Sequence, residues 1–154
     1  MRLRTLEREI WLPRPIDEVF AFFSDAFNLN RLTPPWLRFE VLTPPPIVMR
    51  PGTRIDYRLR LHGLPIRWQT LITRWEPPSL FVDEQVRGPY RRWVHHHRFT
   101  PCDGGTVARD HVEYAVPGGP FEPLIHRFLV FPDLEAIFAY RHHQLLALFT
   151  SSAK

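Results

Sequence analysis

Two histidines stand one residue apart in the segment from Tyr90 to Thr100, at positions 95 and 97. The segment alternates like a β-strand, so His95 and His97 fall on the same face as Trp93 and Phe99. Because the two large aromatic side chains mark that face as inward, we expect both imidazoles to lie inside the protein. Imidazoles inside a protein can bind a polar group, ligate a metal ion or transfer a proton.

The segments on either side carry acidic residues with the same alternation. Asp83 and Gln85 share a face with Phe81, and Asp110 shares a face with Tyr114. If the two aromatic residues also point inward, one concave surface gathers five polar side chains. These are Asp83, Gln85, His95, His97 and Asp110.

Polar side chains in apolar surroundings need partners, since each unpaired buried group costs about 1–3 kcal/mol. In a first interpretation, Asp83 and Asp110 orient the imidazoles in an internal hydrogen-bond network without a ligand. In a second, the polar set binds the head of a ligand, such as a carboxylate, hydroxyl or ketone, and aromatic residues hold its body. The residues predicted to bind such a ligand are Tyr57, Leu59, Trp68, Phe81, Asp83, Gln85, Trp93, His95, His97, Asp110 and Tyr114.

A metal site is a third interpretation, because two histidines at i and i+2 on a strand can converge on one ion with a nearby carboxylate. Such spacing also recurs by chance, so we predict no metal ligand and no cofactor. Catalysis by a histidine that an aspartate orients is also conceivable. His95, His97, Asp83 and Asp110 are the candidates, and none is assigned a catalytic role. No motif supports nucleophilic, nucleotide-dependent or redox chemistry.

Composition and charge restrict the possible partners. The net charge is +4, and most arginines alternate with apolar residues, as Arg54, Arg58 and Arg60 do. This pattern is typical of a solvated sheet face, so we expect no nucleic-acid partner. The single cysteine, Cys102, excludes an intrachain disulfide and fits a reducing compartment. With no apolar signal core and no long apolar run, we expect a cytoplasmic protein with no integral membrane segment.

The order of the predicted elements indicates an α+β domain. An alternating strand over 2–12 precedes a helix over 16–23 and a helical turn over 27–32. The last 35 residues or so return to helical spacing, and Pro132 is expected to kink or break that helix. Between them lie six segments with strand-like alternation, at 37–42, 52–61, 66–75, 80–87, 90–100 and 106–116. We predict one domain over 1–150 and a disordered tail over 151–154.

Four local phrases in this order resemble a large superfamily. They are PIDEVF at 15–20, FVDEQVRGPY at 81–90, WVHHHRF at 93–99 and DHVEY at 110–114. The superfamily includes START domains, plant pathogenesis-related class 10 proteins, polyketide cyclases and carbon monoxide dehydrogenase-associated proteins, and the phrases resemble a bacterial branch of it. The resemblance implies a helix-grip fold, in which a curved antiparallel sheet of six to seven strands and a long C-terminal helix enclose a cavity.

Members of this superfamily carry lipids or cyclise polyketides, so the resemblance leaves the activity open. The favoured expectation is binding of a hydrophobic or aromatic small molecule with a polar head. One alternative is a polyketide cyclase or dehydratase that uses a His-Asp pair in the pocket. Another is an accessory subunit of a larger enzyme or of a membrane-associated complex, and a protein partner or a homodimer is possible.

Overall fold

The structure, a computed structural model, describes residues 1–151 and consists of one curved sheet with helices on its concave side. Seven antiparallel strands lie in the spatial order β1-β7-β6-β5-β4-β3-β2. The strands are β1 (Arg4–Leu12), β2 (Glu40–Val41), β3 (Arg54–Leu61), β4 (Leu64–Glu76), β5 (Leu80–Arg87), β6 (Arg92–Cys102) and β7 (Gly105–Ala115). The helices are α1 (Ile16–Phe23), α2 (Leu29–Leu32), α3 (Glu122–Ile125) and α4 (Phe131–Ser151).

The alternation of apolar and charged residues explains why the sheet has one dry face. In β3, Ile55, Tyr57 and Leu59 are buried, and the arginines of the strand, Arg54, Arg58 and Arg60, are exposed. A sheet with one apolar face needs a cover, and α4 and α1 supply it. The expected α+β helix-grip fold is confirmed.

The first of the six predicted central strands is much shorter than expected. The prediction covered 37–42, but β2 consists of only Glu40–Val41. A 3-10 turn at Pro35–Leu37 occupies the start of this segment, and Arg38 has a positive φ of 47°. A left-handed residue interrupts an extended strand, so pairing with β3 begins only after it.

Pro132 affects the C-terminal helix in a different way from the expected kink or break. It is the second residue of α4, and a π-helical turn at His126–Val130 connects α3 to α4 without a gap. Proline lacks an N–H and its ring clashes with the carbonyl four residues earlier, here that of Phe128. The wider π turn relieves this clash, and the helix therefore continues.

Two apolar clusters hold the helices on the sheet. One packs α1 and the end of α4 against the sheet through residues such as Phe20, Phe99 and Phe149. The other packs the start of α4 against β6 and β7 through Trp93 and Phe138. Between these two clusters a gap separates the sheet from α4, and this gap forms the main cavity.

An apolar stripe faces outward on the segment before α4. It consists of Phe121, Leu124, Phe128 and Phe131, all of which are exposed. Their spacing of three or four residues places them on one side of the helical segment. No helix within residues 1–151 has both the length and the apolar character needed to cross a membrane. Of the predicted tail, Ser151 ends α4, and 152–154 lie outside the described residues.

Candidate functional site

The main cavity lies between the sheet, α2 and α4 and has a volume of about 210 Å³. Strands β3 to β6 form its floor, and Leu134, Ile137 and Phe138 of α4 form its roof. Most of the lining is apolar, and the charged side chains are confined to Asp83 and Arg141 among the described residues that line it.

The structure brings most of the predicted ligand-binding residues to this cavity. Eight of the eleven line it: Tyr57, Leu59, Trp68, Phe81, Asp83, Trp93, His95 and His97. Gln85, Asp110 and Tyr114 do not belong to the lining. Whether any of the eleven contacts a ligand stays a prediction, because no ligand is present.

Gln85 stabilises a turn at some distance from the cavity. Its side-chain amide donates to the Tyr90 carbonyl at 2.7 Å, and its Oε1 accepts from the Tyr90 N–H at 3.1 Å. The amide packs over Gly88, where a Cβ would lie 2.4 Å from Oε1. Alternation predicts Gln85 on the inner face, but in the structure its amide is bound to the backbone of the turn after β5.

Tyr114 is buried, but it faces the segment before α4. Its hydroxyl lies 2.8 Å from Nε2 of His126. Burial raises the pKa of Tyr114 and lowers that of His126, so the hydroxyl donates to a neutral imidazole. This contact fixes the helical segment on the sheet.

At one side of the cavity, five side chains form what we call the imidazole–carboxylate cluster: Asp83, His95, His97, Asp110 and Arg141. His97 donates from Nε2 to Asp83 at 2.6 Å, and His95 donates from Nε2 to Asp110 at 2.7 Å. The two imidazoles stack with ring centroids 3.7 Å apart. Because a carboxylate can only accept, Nε2 of each histidine carries a proton.

Strand register explains this pairing. Directly opposite His95 lie Asp83 on β5 and Val112 on β7, and directly opposite His97 lie Phe81 and Asp110. Each histidine therefore forms its hydrogen bond with the aspartate that lies diagonally across from it, and not with the residue directly opposite. Diagonal neighbours on adjacent strands are close enough for such side chains to meet. Phe81 stacks on His97 at 4.1 Å between centroids and closes the cluster on one side.

Asp110 lies behind the imidazoles and connects them to α4. Its Oδ1 is 2.7 Å from His95, 3.5 Å from the Arg141 guanidinium and 3.7 Å from Nδ1 of His97. Burial would raise the pKa of Asp110, but Arg141 and the hydrogen bond from His95 hold it well below its usual range. Asp110 is therefore a carboxylate anion that orients His95.

Burial has the opposite effect on His97. Its side chain is almost fully enclosed, and burial, together with electrostatic repulsion from the stacked His95 ring, lowers the pKa of His97 to about 4. Burial would also raise the pKa of Asp83, yet the hydrogen bond from His97 keeps that pKa below its usual value. A neutral His97 thus donates to an ionised Asp83, and Nδ1 of His97 has no hydrogen-bond partner among the described residues.

The cluster has three chemical capabilities. It can offer hydrogen bonds to a polar group in the cavity, and His95 can exchange a proton while Asp110 holds its orientation. Donor atoms from Asp83, His95 and His97 also lie within 4.8 Å of one another, close enough to be brought onto one metal ion.

The prediction missed most of the other cavity-lining residues, including Arg141 and Tyr90. Arg141 is a charged residue on the side of α4 that faces the sheet, where Leu134, Phe138 and Leu145 are buried, a signal that could have assigned it to the site. Tyr90 comes from the turn before β6 and packs on Trp93 at 4.8 Å between centroids. The predicted strand over 90–100 included Tyr90, but β6 begins only at Arg92, so the alternation did not describe the position of Tyr90.

A second depression adjoins the main cavity beside the start of α4, and it is lined by Trp36, Leu61, His62 and Asp133, among others. Leu37, Leu61 and Ile137 line both this depression and the main cavity. His62 and Asp133 are 2.8 Å apart across it, so this contact connects the β3–β4 turn to α4.

Solved structures of other proteins share this architecture. An aromatase/cyclase from Streptomyces sp. R1128, Zhui, has a TM-score of 0.73 at 14% identity, covering 99% of this chain and 97% of the other. Protein Ms6760 from Mycobacterium smegmatis has a TM-score of 0.67 at 18% identity, with coverages of 99% and 98%. A norcoclaurine synthase point mutant from Thalictrum flavum has 0.65 at 15%, with coverages of 95% and 96%. Identities this low show the fold alone.

Sequence comparison gives the family. No curated protein matches the chain. A family model described as polyketide cyclase / dehydrase and lipid transport matches residues 12–135, which is most of the chain and includes all the cavity-lining strands. The protein therefore belongs to the polyketide cyclase / dehydrase and lipid transport family.

Proposed function

We propose that the protein binds a small hydrophobic molecule with a polar oxygen-containing head in its main cavity. The observation that carries this proposal is the placement of the imidazole–carboxylate cluster at one side of a cavity that is otherwise almost entirely apolar. An apolar pocket with a few convergent polar groups is the usual form of a small-molecule site.

The size of the cavity restricts the ligand. Its volume of about 210 Å³ exceeds the roughly 150 Å³ of an apolar cavity that accepts benzene. It lies below the range of about 300–1,000 Å³ that is usual for drug-sized ligands. In this closed form the cavity suits a molecule of one or two rings, held between Trp68, Trp93 and Phe138.

The polar groups define the head of the ligand. Burial raises the pKa of Tyr57, whose hydroxyl therefore stays protonated and has no hydrogen-bond partner within the described part of the chain. Tyr57 and Asp83 both line the cavity, so the hydroxyl can act together with the cluster on one ligand. His95 uses Nε2 for Asp110, which leaves Nδ1 as an acceptor. A hydroxyl or ketone fits this donor and acceptor pair better than a carboxylate, because Asp83 is anionic.

A series of compounds with one body and different heads tests this proposal. We suggest naphthalene, 2-naphthol, 2-acetylnaphthalene and 2-naphthoic acid, each measured by isothermal titration calorimetry and by thermal shift. We expect 2-naphthol and 2-acetylnaphthalene to bind at least ten times more tightly than naphthalene, a difference of about 1.4 kcal/mol. A bound ligand at one hundred times its Kd should stabilise the fold by about 2.7 kcal/mol.

A variant that fills the cavity provides the control. Leu59 is buried on β3 and lines the cavity, whereas Leu146 is 39% exposed on α4. Leu59→Trp should abolish binding, and Leu146→Trp should leave it unchanged, provided that both variants keep the circular dichroism spectrum of the wild type. Binding that survives in Leu59→Trp, or the absence of binding by the whole series, would contradict the proposal.

A second candidate function is catalytic, as a cyclase or dehydratase. The observation in its favour is the hydrogen bond from His95 to Asp110, which leaves Nδ1 of His95 as a base beside the cavity. Under this proposal, His95→Gln should reduce the turnover of a short polyketide-like substrate at least 100-fold while binding of the substrate persists. Equal turnover by the wild type and the variant would exclude it.

A further inference from the structure

We propose that Asp83, His95 and His97 form a binding site for one divalent transition-metal ion, such as Zn²⁺ or Fe²⁺, at the side of the main cavity. One donor atom from each residue already lies within 4.8 Å of the other two. The inference goes beyond the proposed function, because the ion would bind whether or not the cavity holds an organic ligand, and either proposal can fail alone.

The donor set fits this class of ion. Two imidazole nitrogens and one carboxylate oxygen are typical ligands of zinc and of non-haem iron, whereas Ca²⁺ and Mg²⁺ prefer oxygen alone. In a tetrahedral zinc site with bonds of about 2.0–2.1 Å, donor atoms lie roughly 3.3 Å apart. The longest of these separations must therefore shorten by up to about 1.5 Å when the ion binds, through rotation of the side chains concerned.

Asp110 occupies the position of a supporting carboxylate. Histidines that bind a metal through one nitrogen usually donate their other N–H to a carboxylate, which fixes the ring. Oδ1 of Asp110 accepts from Nε2 of His95 at 2.7 Å, which leaves Nδ1 of His95 with a free lone pair for the ion. Arg141, 3.5 Å from the same oxygen, balances its charge.

The partnerless nitrogen of His97 is explained by the same arrangement. Without an ion, Nε2 of His97 donates to Asp83, and the buried Nδ1 has no hydrogen-bond partner in residues 1–151. An ion at Nε2 requires the other neutral tautomer, in which the proton is on Nδ1. That N–H would face Oδ1 of Asp110, now 3.7 Å away. Metal binding thus gives the buried nitrogen a partner without a change in the net proton count.

The three donors lie at the cavity wall, and Asp110 does not. The coordination positions that the protein leaves open therefore face the cavity. An oxygen of a bound molecule or a water can take such a position, as in metal sites that keep an open ligand position.

Cobalt binding tests the inference, since Co²⁺ is a spectroscopic substitute for Zn²⁺. The tag-free protein is treated with EDTA, dialysed and titrated with CoCl₂, with ZnCl₂ as competitor. We expect one Co²⁺ per chain, visible absorption bands of a site with fewer than six ligands, and displacement by Zn²⁺. His97→Gln and Asp83→Asn should each weaken Co²⁺ binding by at least 100-fold.

His96 provides the matched control. It is the neighbour of both proposed ligands on β6, but it faces the outer side of the sheet, where its ring lies 5.8 Å from that of His111. His96→Gln should change the affinity for Co²⁺ less than twofold. Loss of binding in His96→Gln, equal binding by all variants, or no stoichiometric binding by the wild type would overturn the inference.

A second measurement covers the case in which the His97 or Asp83 variants do not fold. Co²⁺ shifts and broadens the proton resonances of the histidines that bind it. We expect two strongly shifted imidazole resonances in the wild type, and both should persist in His96→Gln and in His142→Gln. Shifted resonances that disappear in either of these variants would place the ion on the surface instead.

Discussion

Replacement of Asp110 by asparagine should destabilise the protein by leaving the Arg141 charge without its anion. Both side chains are almost fully enclosed, with 11% and 10% of their surface exposed, and the guanidinium lies 3.5 Å from Oδ1 of Asp110. Removal of one partner from a buried ion pair typically costs about 3–5 kcal/mol. The guanidinium also lies 5.3 Å from the Phe23 ring, an attraction that the substitution does not remove. We therefore expect the lower end, about 3 kcal/mol.

The expected change is large enough to be measured by two independent methods. For a chain of 154 residues, 1 kcal/mol corresponds to about 2–4 °C in Tm, so Asp110→Asn should lower the Tm by about 6–12 °C. Urea unfolding in the presence of EDTA gives the free energy directly. The matched control on the same strand is Glu113→Gln. Glu113 pairs with Arg92 on the outer face, where both side chains are about one-third exposed or more, and its loss should cost less than about 1 kcal/mol.

A double-mutant cycle tests the physical reason. Arg141→Met alone leaves the buried Asp110 carboxylate without its guanidinium, and should also destabilise. In Asp110→Asn with Arg141→Met both charges are absent, so its cost should fall at least about 1.5 kcal/mol below the sum of the two single costs. Additive costs, or an Asp110→Asn variant as stable as the wild type, would refute the buried ion pair.

Three further predictions concern packing, pH and the surface. Phe81→Ala should lower the free energy of unfolding by about 3–5 kcal/mol in urea, because the 4%-exposed ring packs against the stacked His97. Burial lowers the pKa of His126 in the folded state. As the pH falls, the unfolded chain therefore binds a proton at His126 at a higher pH than the folded protein does. Stability should therefore fall as the pH decreases below about 6.5, and His126→Gln should flatten the urea-derived stability–pH curve there. Phe128→Ser on the apolar stripe should change the free energy of unfolding by less than about 0.5 kcal/mol, since the ring is 66% exposed.

Each of these predictions has a clear contrary result. A cost below 1 kcal/mol for Phe81→Ala would mean that the ring is not part of a packed core. An unchanged pH dependence in His126→Gln, with His143→Gln on the exposed side of α4 as control, would show that His126 is not shielded from protons. A strong loss of stability in Phe128→Ser would show that the stripe is packed against something in the folded protein.

The sheet could be predicted because its sequence carries a strict period of two. From Arg54 to Leu61, every second residue is apolar, and this pattern survives in the structure as alternating burial. The same alternation placed His95 and His97 correctly on the inner face. Period alone does not give the register between strands. It therefore identified the acidic partners but could not say that His95 bonds to Asp110 and His97 to Asp83.

The irregular parts were less predictable for physical reasons. Alternation assigns a face to Gln85 but contains no information on the turn whose backbone captures its amide. The segment before β2 was predicted as strand because Leu37 and Phe39 alternate with polar residues. The 3-10 turn there results from the preceding prolines and the left-handed Arg38. Local turn geometry, which strand alternation does not describe, decides these positions.

The most direct test of the central claim is to locate a bound ligand by nuclear Overhauser effects. With 2-naphthol at saturation, the account predicts cross-peaks from the naphthyl protons to Trp68, Trp93 and Phe138, which line the cavity. Cross-peaks only to Phe121 and Phe128 of the exposed stripe would show that the compound binds the surface, and would contradict a ligand site between the sheet and α4.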